Sequence, residues 1–168
     1  MQKELAQQAA QAVAEMGTTF ALFAHQKVNE VPFAGSWTPA QVVEHTLLSA
    51  EGCIALLDGD TSETTRDATA HVQELRDMFL NFDIKMQSPP DIVPPDTTYD
   101  KAALTDRLNT LRKTAERVIA ARDLSRTCTT FEFPTIGYLT GLEVANFFIV
   151  HTQRHAHQLK NIYGAMVQ

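Results

Sequence analysis

The chain has 168 residues, 44% hydrophobic and 20% charged, with a formal net charge of −6. That is an ordinary globular mixture, of a length that suits one domain over residues 1–168 with a core that needs no staples. An acidic balance with no basic run excludes sequence-independent nucleic-acid binding and gives no sign of an anionic membrane partner.

The first predicted helix runs from about Gln2 to Val28. Leu5, Ala9, Val13, Met16, Phe20 and Phe23 recur at spacings of three and four and form one apolar face. Val31-Pro32-Phe33-Ala34-Gly35 breaks it. The second helix has a marked start. Thr38 is a good N-cap, Pro39 suits the first helical position, and Gln41 completes a capping box. It should run to about Leu57, where Asp58-Gly59-Asp60 ends it. Thr61 to Thr65 is polar and reads as loop. From Asp67 to about Met86 the pattern is helical again, with Val72, Leu75, Phe79 and Phe82 as the stripe of a small extra helix. Ser88-Pro89-Pro90 and Pro94-Pro95 then impose an extended connection.

A third main helix is expected from about Lys101 to Arg122, capped by Asp100, with Leu104, Leu108, Leu111, Ala115 and Val118 on its inner face. Residues 124–139 form a long connection in which Thr127 to Phe133 could be extended. The last helix opens on another capping box, Thr140 with Glu143, and should run to about Tyr163, stopped by Gly164. Four long amphipathic helices predict an all-α four-helix bundle, and the long connections after the second and third of them imply at least one crossover.

Cys53 and Cys128 form no CxxC pair. Cys53, in an apolar helical stretch, reads as a buried, inert thiol. Two scattered cysteines fit a reducing cytoplasm better than a disulfide scaffold, and nothing in the sequence requires them to pair. The N-terminal MQKELAQQAA lacks the apolar run of a secretory signal. The longest apolar runs, FALFA and CIALL, are far too short to span a membrane.

The residues most suited to chemistry are histidines. His151 and His155, in HTQRHAHQL, lie four apart on a predicted helix and so share a face. Such a pair alone is weak evidence, but FFIV immediately precedes it, so the helix is entering a buried environment where ring nitrogens need partners. His45, in WTPAQVVEHTLL, lies on another apolar helix on a stripe with Val42, Ser49, Gly52 and Leu56. Three histidines on facing helices can share one divalent ion and leave a coordination position for water or substrate. His25, His71 and His157 read as surface or structural residues. Glu44 adjoins His45 but points about 100° away from it. Gln41 and Gln158, about one turn from ligands, could orient a ligand or substrate. Arg154 could hold an anionic group, though a solvated side chain is the plainer reading. No phosphate-binding glycine loop, GxSxG or HExxH competes.

WTPAQVVEH resembles the Trp-Ser/Thr-Pro-Ala segment that opens the second helix and carries the first metal histidine in the DinB-like four-helix metalloprotein superfamily. HTQRHAHQL resembles the histidine pair of that family's final helix. The resemblance extends over nearly the whole chain in helix order, connections and the separation of His45 from His151. It implies that His45, His151 and His155 hold a divalent transition metal, nickel or zinc foremost, with iron or manganese admissible, at an open site. Some members of that family transfer a low-molecular-weight thiol such as bacillithiol, mycothiol or glutathione to electrophiles or isomerise substrates with a thiol cofactor, and homodimers are common among them, so the resemblance implies thiol transfer to small electrophiles as the leading reaction and admits a homodimer. Imidazole accepts several first-row metals, so the ligands alone do not choose among them. The alternatives left open are a metal-dependent hydrolase and a non-catalytic binding or stress-response protein that metal stabilises. The connections at residues 87–99 and 124–139 are the candidates for selecting the small-molecule substrate.

Overall fold

The computed structural model describes residues 2–167. Five helices follow in order: α1 (Gln2–Ala21), α2 (Pro39–Asp58), α3 (Val72–Leu80), α4 (Lys101–Ala121) and α5 (Gly141–Met166). The only strands among the described residues are β1 (Thr61–Ser62) and β2 (Thr127–Cys128), an antiparallel pair with Thr61 opposite Cys128. The fold is therefore all-α, a four-helix bundle of α1, α2, α4 and α5 with α3 as the short extra helix.

Local signals start the helices where the sequence places them. The Thr38 hydroxyl accepts the Gln41 N–H at 3.1 Å while the Gln41 side-chain oxygen accepts the Thr38 N–H at 3.0 Å. Thr140 and Glu143 repeat the exchange at the head of α5, and Asp100 accepts from the Ala103 N–H at 2.8 Å to cap α4. Each satisfies N–H groups that have no partner within the helix.

Ends are decided by tertiary partners and differ from those the sequence predicts. The first helix stops at Ala21 rather than near Val28; Ala24 is extended and His25–Lys27 forms a separate 3-10 turn. Lys101, at the head of α4, donates its ammonium to the carbonyls of Ala21 and Phe23 and closes α1 there. Phe23 and Val28 still reach the core from the turn. The extra helix is limited to Val72–Leu80, because Asp67 folds the preceding segment into a turn by accepting from Thr69. Phe82 accordingly leaves the apolar stripe and is 44% exposed. Thr61 and Ser62 pair as a strand instead of lying in loop, and extension after Thr127 is limited to two residues. The last helix continues through Gly164 to Met166, with Tyr163 packed edge-on against Phe23 at 5.2 Å.

Around the bundle, α1 packs on α4 and α5, and α2 packs on the same two helices, while α1 and α2 barely touch. Helices α1 and α2 are thus diagonal partners, and α4 and α5 occupy the other two corners. The 122–140 connection crosses the bundle, as the sequence implied, but so does the shorter link between α1 and α2. The long 59–100 connection joins neighbours and uses its length to lay α3 along α5. Where the chain returns from the α4 side it passes close to α5: a Cβ on Gly141 would sit 2.8 Å from the Leu124 Cα, so the first helical position must be glycine.

The core along these helices is apolar and closely interleaved, with Met16, Phe20, Leu47, Ile119, Phe148, Ile149 and Leu159 fully enclosed. Among the described residues, no helix is long and apolar enough to cross a membrane.

Candidate metal centre

The core also encloses three histidines. His45 on α2 and His151 and His155 on α5 are 3%, 6% and 9% exposed. One ring nitrogen from each lies within 4.8 Å of the others, and among the described residues no fourth His, Cys, Asp or Glu joins them. The helix spacing explains half of this, since residues four apart stack on one face. The α2–α5 packing supplies the rest by presenting His45 to that face.

The His45 and His155 Nε2 atoms are 3.1 Å apart, and those of His155 and His151 3.2 Å. The opposite edges of two rings fix where the protons sit. His45 Nδ1 lies 2.7 Å from the Ile92 carbonyl oxygen, which can only accept, so Nδ1 carries the hydrogen and Nε2 is a bare lone pair. His155 Nδ1 lies 2.7 Å from the Gln158 side-chain oxygen, with the same consequence for its Nε2. Two bare lone pairs therefore face each other at hydrogen-bond distance with no proton between them. That arrangement is repulsive unless a cation sits among the nitrogens. Donors about 2.0–2.1 Å from a tetrahedral ion are about 3.3 Å apart, close to the observed spacing. The residues present fit a divalent metal ion.

Electrostatics favours the same state. Burial is the main cause that lowers the pKa of each ring. His155 is pushed down to about 3 by burial and by His45, against the opposing bond to Gln158. His151 is driven well below its ordinary value by burial and by the other two rings, and His45 is lowered by burial against the Ile92 bond. Neutral imidazoles with free lone pairs are the form a metal binds. Aromatic rings close the surroundings: Trp37 lies 4.9 Å from His45, and Phe147 and Phe79 lie 5.2 and 5.8 Å from His151. Such apolar neighbours lower the local dielectric.

His25 is exposed, and His71 precedes α3, beside Glu74. His157 stacks on Phe82 with ring centres 4.1 Å apart. All three stand outside the cluster. Glu44 turns from His45 to pair with Arg107. Gln158 orients His155, whereas Gln41 is occupied by the α2 cap. Arg154 is half-buried and donates to three backbone carbonyls. Cys53 and Cys128 are free and buried, and burial chiefly pushes the Cys53 thiol up to about 12, the state of an inert thiol. Sequence reasoning missed Ile92 and Ser88, whose hydroxyl lies 3.4 Å from His45 Nδ1. A backbone carbonyl leaves no side-chain signature; the only trace was the proline-rich stretch that brings it there. Of the two connections proposed to select substrate, 87–99 touches His45 through these residues. The other, 124–139, approaches through Phe133, which packs on Phe147 at 5.0 Å.

A family model described as the DinB superfamily matches residues 8–159. Comparison with curated proteins and with solved structures gave no match.

Proposed function

Because the chain belongs to the DinB superfamily, we propose that it is a metal-dependent enzyme in which His45, His151 and His155 hold one divalent ion, and that its reaction is transfer of a small thiol to an electrophile. The observation that carries this reading is the convergence of three buried Nε2 atoms, two of them stripped of their protons by Ile92 and Gln158. Three protein donors and no fourth leave room for an exogenous ligand, the arrangement of catalytic rather than structural sites. A divalent ion there would supply the Lewis acidity that makes a bound thiol, or water, ionise near neutral pH.

The chain's own residues do the remainder. The Ile92 carbonyl and the Gln158 amide hold two rings in the binding tautomer, and Trp37, Phe79 and Phe147 make the surroundings apolar. The nucleophilic sulfur must come from outside, because Cys53 lies two turns along α2 from His45, roughly 12 Å at 1.5 Å per residue, and is fully enclosed. In the transfer, a carbon–sulfur bond forms at the electrophilic carbon and the bond to its leaving group breaks. The electron pair departs with that group, and the thiol proton passes to solvent.

The test uses protein purified without an affinity tag, loaded with zinc or nickel, and supplied with bacillithiol, mycothiol or glutathione and a panel of epoxides and activated halides. Conjugation above the rate of free metal plus thiol, lost in His155→Ala, is expected. A rate no greater than that background, with His155→Ala equal to the unmutated chain, removes thiol transfer. Hydrolysis of small esters or amides is then the next assay, and silence in both leaves a metal-stabilised binding protein.

A further inference from the structure

A guanidinium is an unexpected neighbour for a cation site. Arg154 immediately precedes His155 on α5, and its charge contributes to the lowered pKa of both His151 and His155. Left to act through space alone, it opposes the binding of a second cation. Its hydrogen bonds give it another task. Nη1 donates to the Phe79 carbonyl at 3.2 Å and to that of Asn81 at 2.8 Å, and Nη2 donates to that of Ile84. These are the last turn of α3 and the residues just beyond it, where carbonyls lack helical partners and a positive charge is favoured.

From this anchor residues 81–92 run as a strap to α2. Residues 81–87 are all exposed. Phe82 is pinned by its stack on His157, also on α5, with the rings 6° from parallel. At its far end the strap delivers the Ser88 hydroxyl and the Ile92 carbonyl to His45 Nδ1. The strap thus bridges the two helices that carry the histidines. It is fastened to α5 by the residues on either side of His155 and to α2 by His45 itself.

We propose that Arg154 is a positioning residue for the metal centre: it anchors the 81–92 strap, whose Ile92 carbonyl holds His45 in the Nδ1–H form, and so raises metal affinity although its own charge opposes the ion. The proposal rests on the three-histidine metal reading above. It makes a prediction of opposite sign from simple electrostatics. If Arg154 acts only by its charge, Arg154→Ala tightens metal binding and Arg154→Lys leaves it unchanged. If it positions the strap, both weaken binding, because a lysine keeps the charge but its single ammonium cannot span three carbonyls. Partners that orient a ligand histidine are worth roughly 10–100-fold in affinity, and acting through the strap Arg154 should account for about tenfold.

The experiment pairs two readouts. Competition with a chromophoric chelator gives zinc affinity for the unmutated chain, Arg154→Ala and Arg154→Lys, with thermal melts to confirm that each folds. Two-dimensional ¹H–¹⁵N NMR of the imidazoles gives the His45 tautomer in metal-free protein. The expected result is about tenfold weaker binding in both variants, together with the appearance of the Nε2–H form at His45. Equal or tighter binding in Arg154→Ala overturns the proposal. So does weaker binding with the tautomer unchanged, since the loss then does not pass through the strap. If the Arg154 variants do not fold, Phe82→Ala loosens the same strap at an exposed position and must shift both readouts the same way. Should the unmutated chain bind no ion, the metal reading fails, and the tautomer in metal-free protein still decides whether Arg154 positions His45.

Discussion

A histidine binds an ion through a nitrogen that has no proton, so the residues that place the protons belong to the centre as much as the rings do. Gln158 is the most direct example, because its side-chain oxygen takes the Nδ1 hydrogen of His155 and leaves Nε2 free. Gln158→Leu keeps the bulk and removes the acceptor, and zinc affinity should fall by about tenfold or more. Gln158→Glu supplies a stronger acceptor and should bind at least as tightly as the unmutated chain. Chelator competition measures both; a Leu variant with unchanged affinity would show that the orienting bond is dispensable. At this scale the sequence was informative where chemistry sits on side chains. The i, i+4 spacing of His151 and His155, the apolar run before them and the apolar stripe around His45 pointed to the three rings. Gln158 was visible about one turn from His155. Ile92 was not, because its contribution is a main-chain carbonyl placed by a connection whose path depends on distant contacts.

At the scale of the element, α5 is held at its head by Glu143, which is fully buried. Its two oxygens receive Arg66 at 2.7 Å each, the Thr140 N–H and the His71 N–H, both at 2.9 Å. One carboxylate thereby closes the capping box and ties residues 66–71, the lead-in to α3, against α5. Burial by itself pushes this carboxyl up; the Arg66 fork and the two backbone N–H groups outweigh it and hold its pKa below the usual carboxylate value of 4.5. The sign follows from linkage. The unfolded chain takes up a proton at this position before the folded one does, so the stabilisation is complete above pH 4.5 and is lost as pH falls through the depressed folded value. Glu143→Gln should destabilise the protein at pH 7 by about 2 kcal/mol, typical of hydrogen bonds to a charged group, and should flatten the acid limb of the stability curve. Urea denaturation at pH 7 and pH 4 checks both, and a variant that keeps the full acid dependence would assign it elsewhere. The local half of this arrangement, Thr140 with Glu143, was legible as a capping box. Arg66 and the His71 N–H were not, since they lie more than seventy residues upstream and meet Glu143 only once α3 has docked. The misplaced end of α1 has the same origin. The apolar stripe continues to Phe23 and Val28, and the Lys101 side chain that stops the helix comes from α4.

For the molecule as a whole, periodicity identified the helices and their inner faces but not their neighbours. Leu5-to-Phe20 and Leu104-to-Val118 read as apolar faces without stating that α1 and α4 would share a core, or that α1 and α2 would lie diagonally. That arrangement matters because it sets α2 beside α5 and gives His45 its place opposite His151 and His155. On the proposed reading, this packing builds one metal site from His45, His151 and His155, none of which marks it alone. Isothermal titration of tag-free, chelator-free protein with zinc tests it most directly, in the unmutated chain and in His45→Ala, His151→Ala, His155→Ala and His25→Ala. One ion per chain is expected, lost or severely weakened by each of the first three changes and unaffected by His25→Ala. No binding in the unmutated chain, or one ion per chain that survives His45→Ala and His155→Ala undiminished, would contradict it.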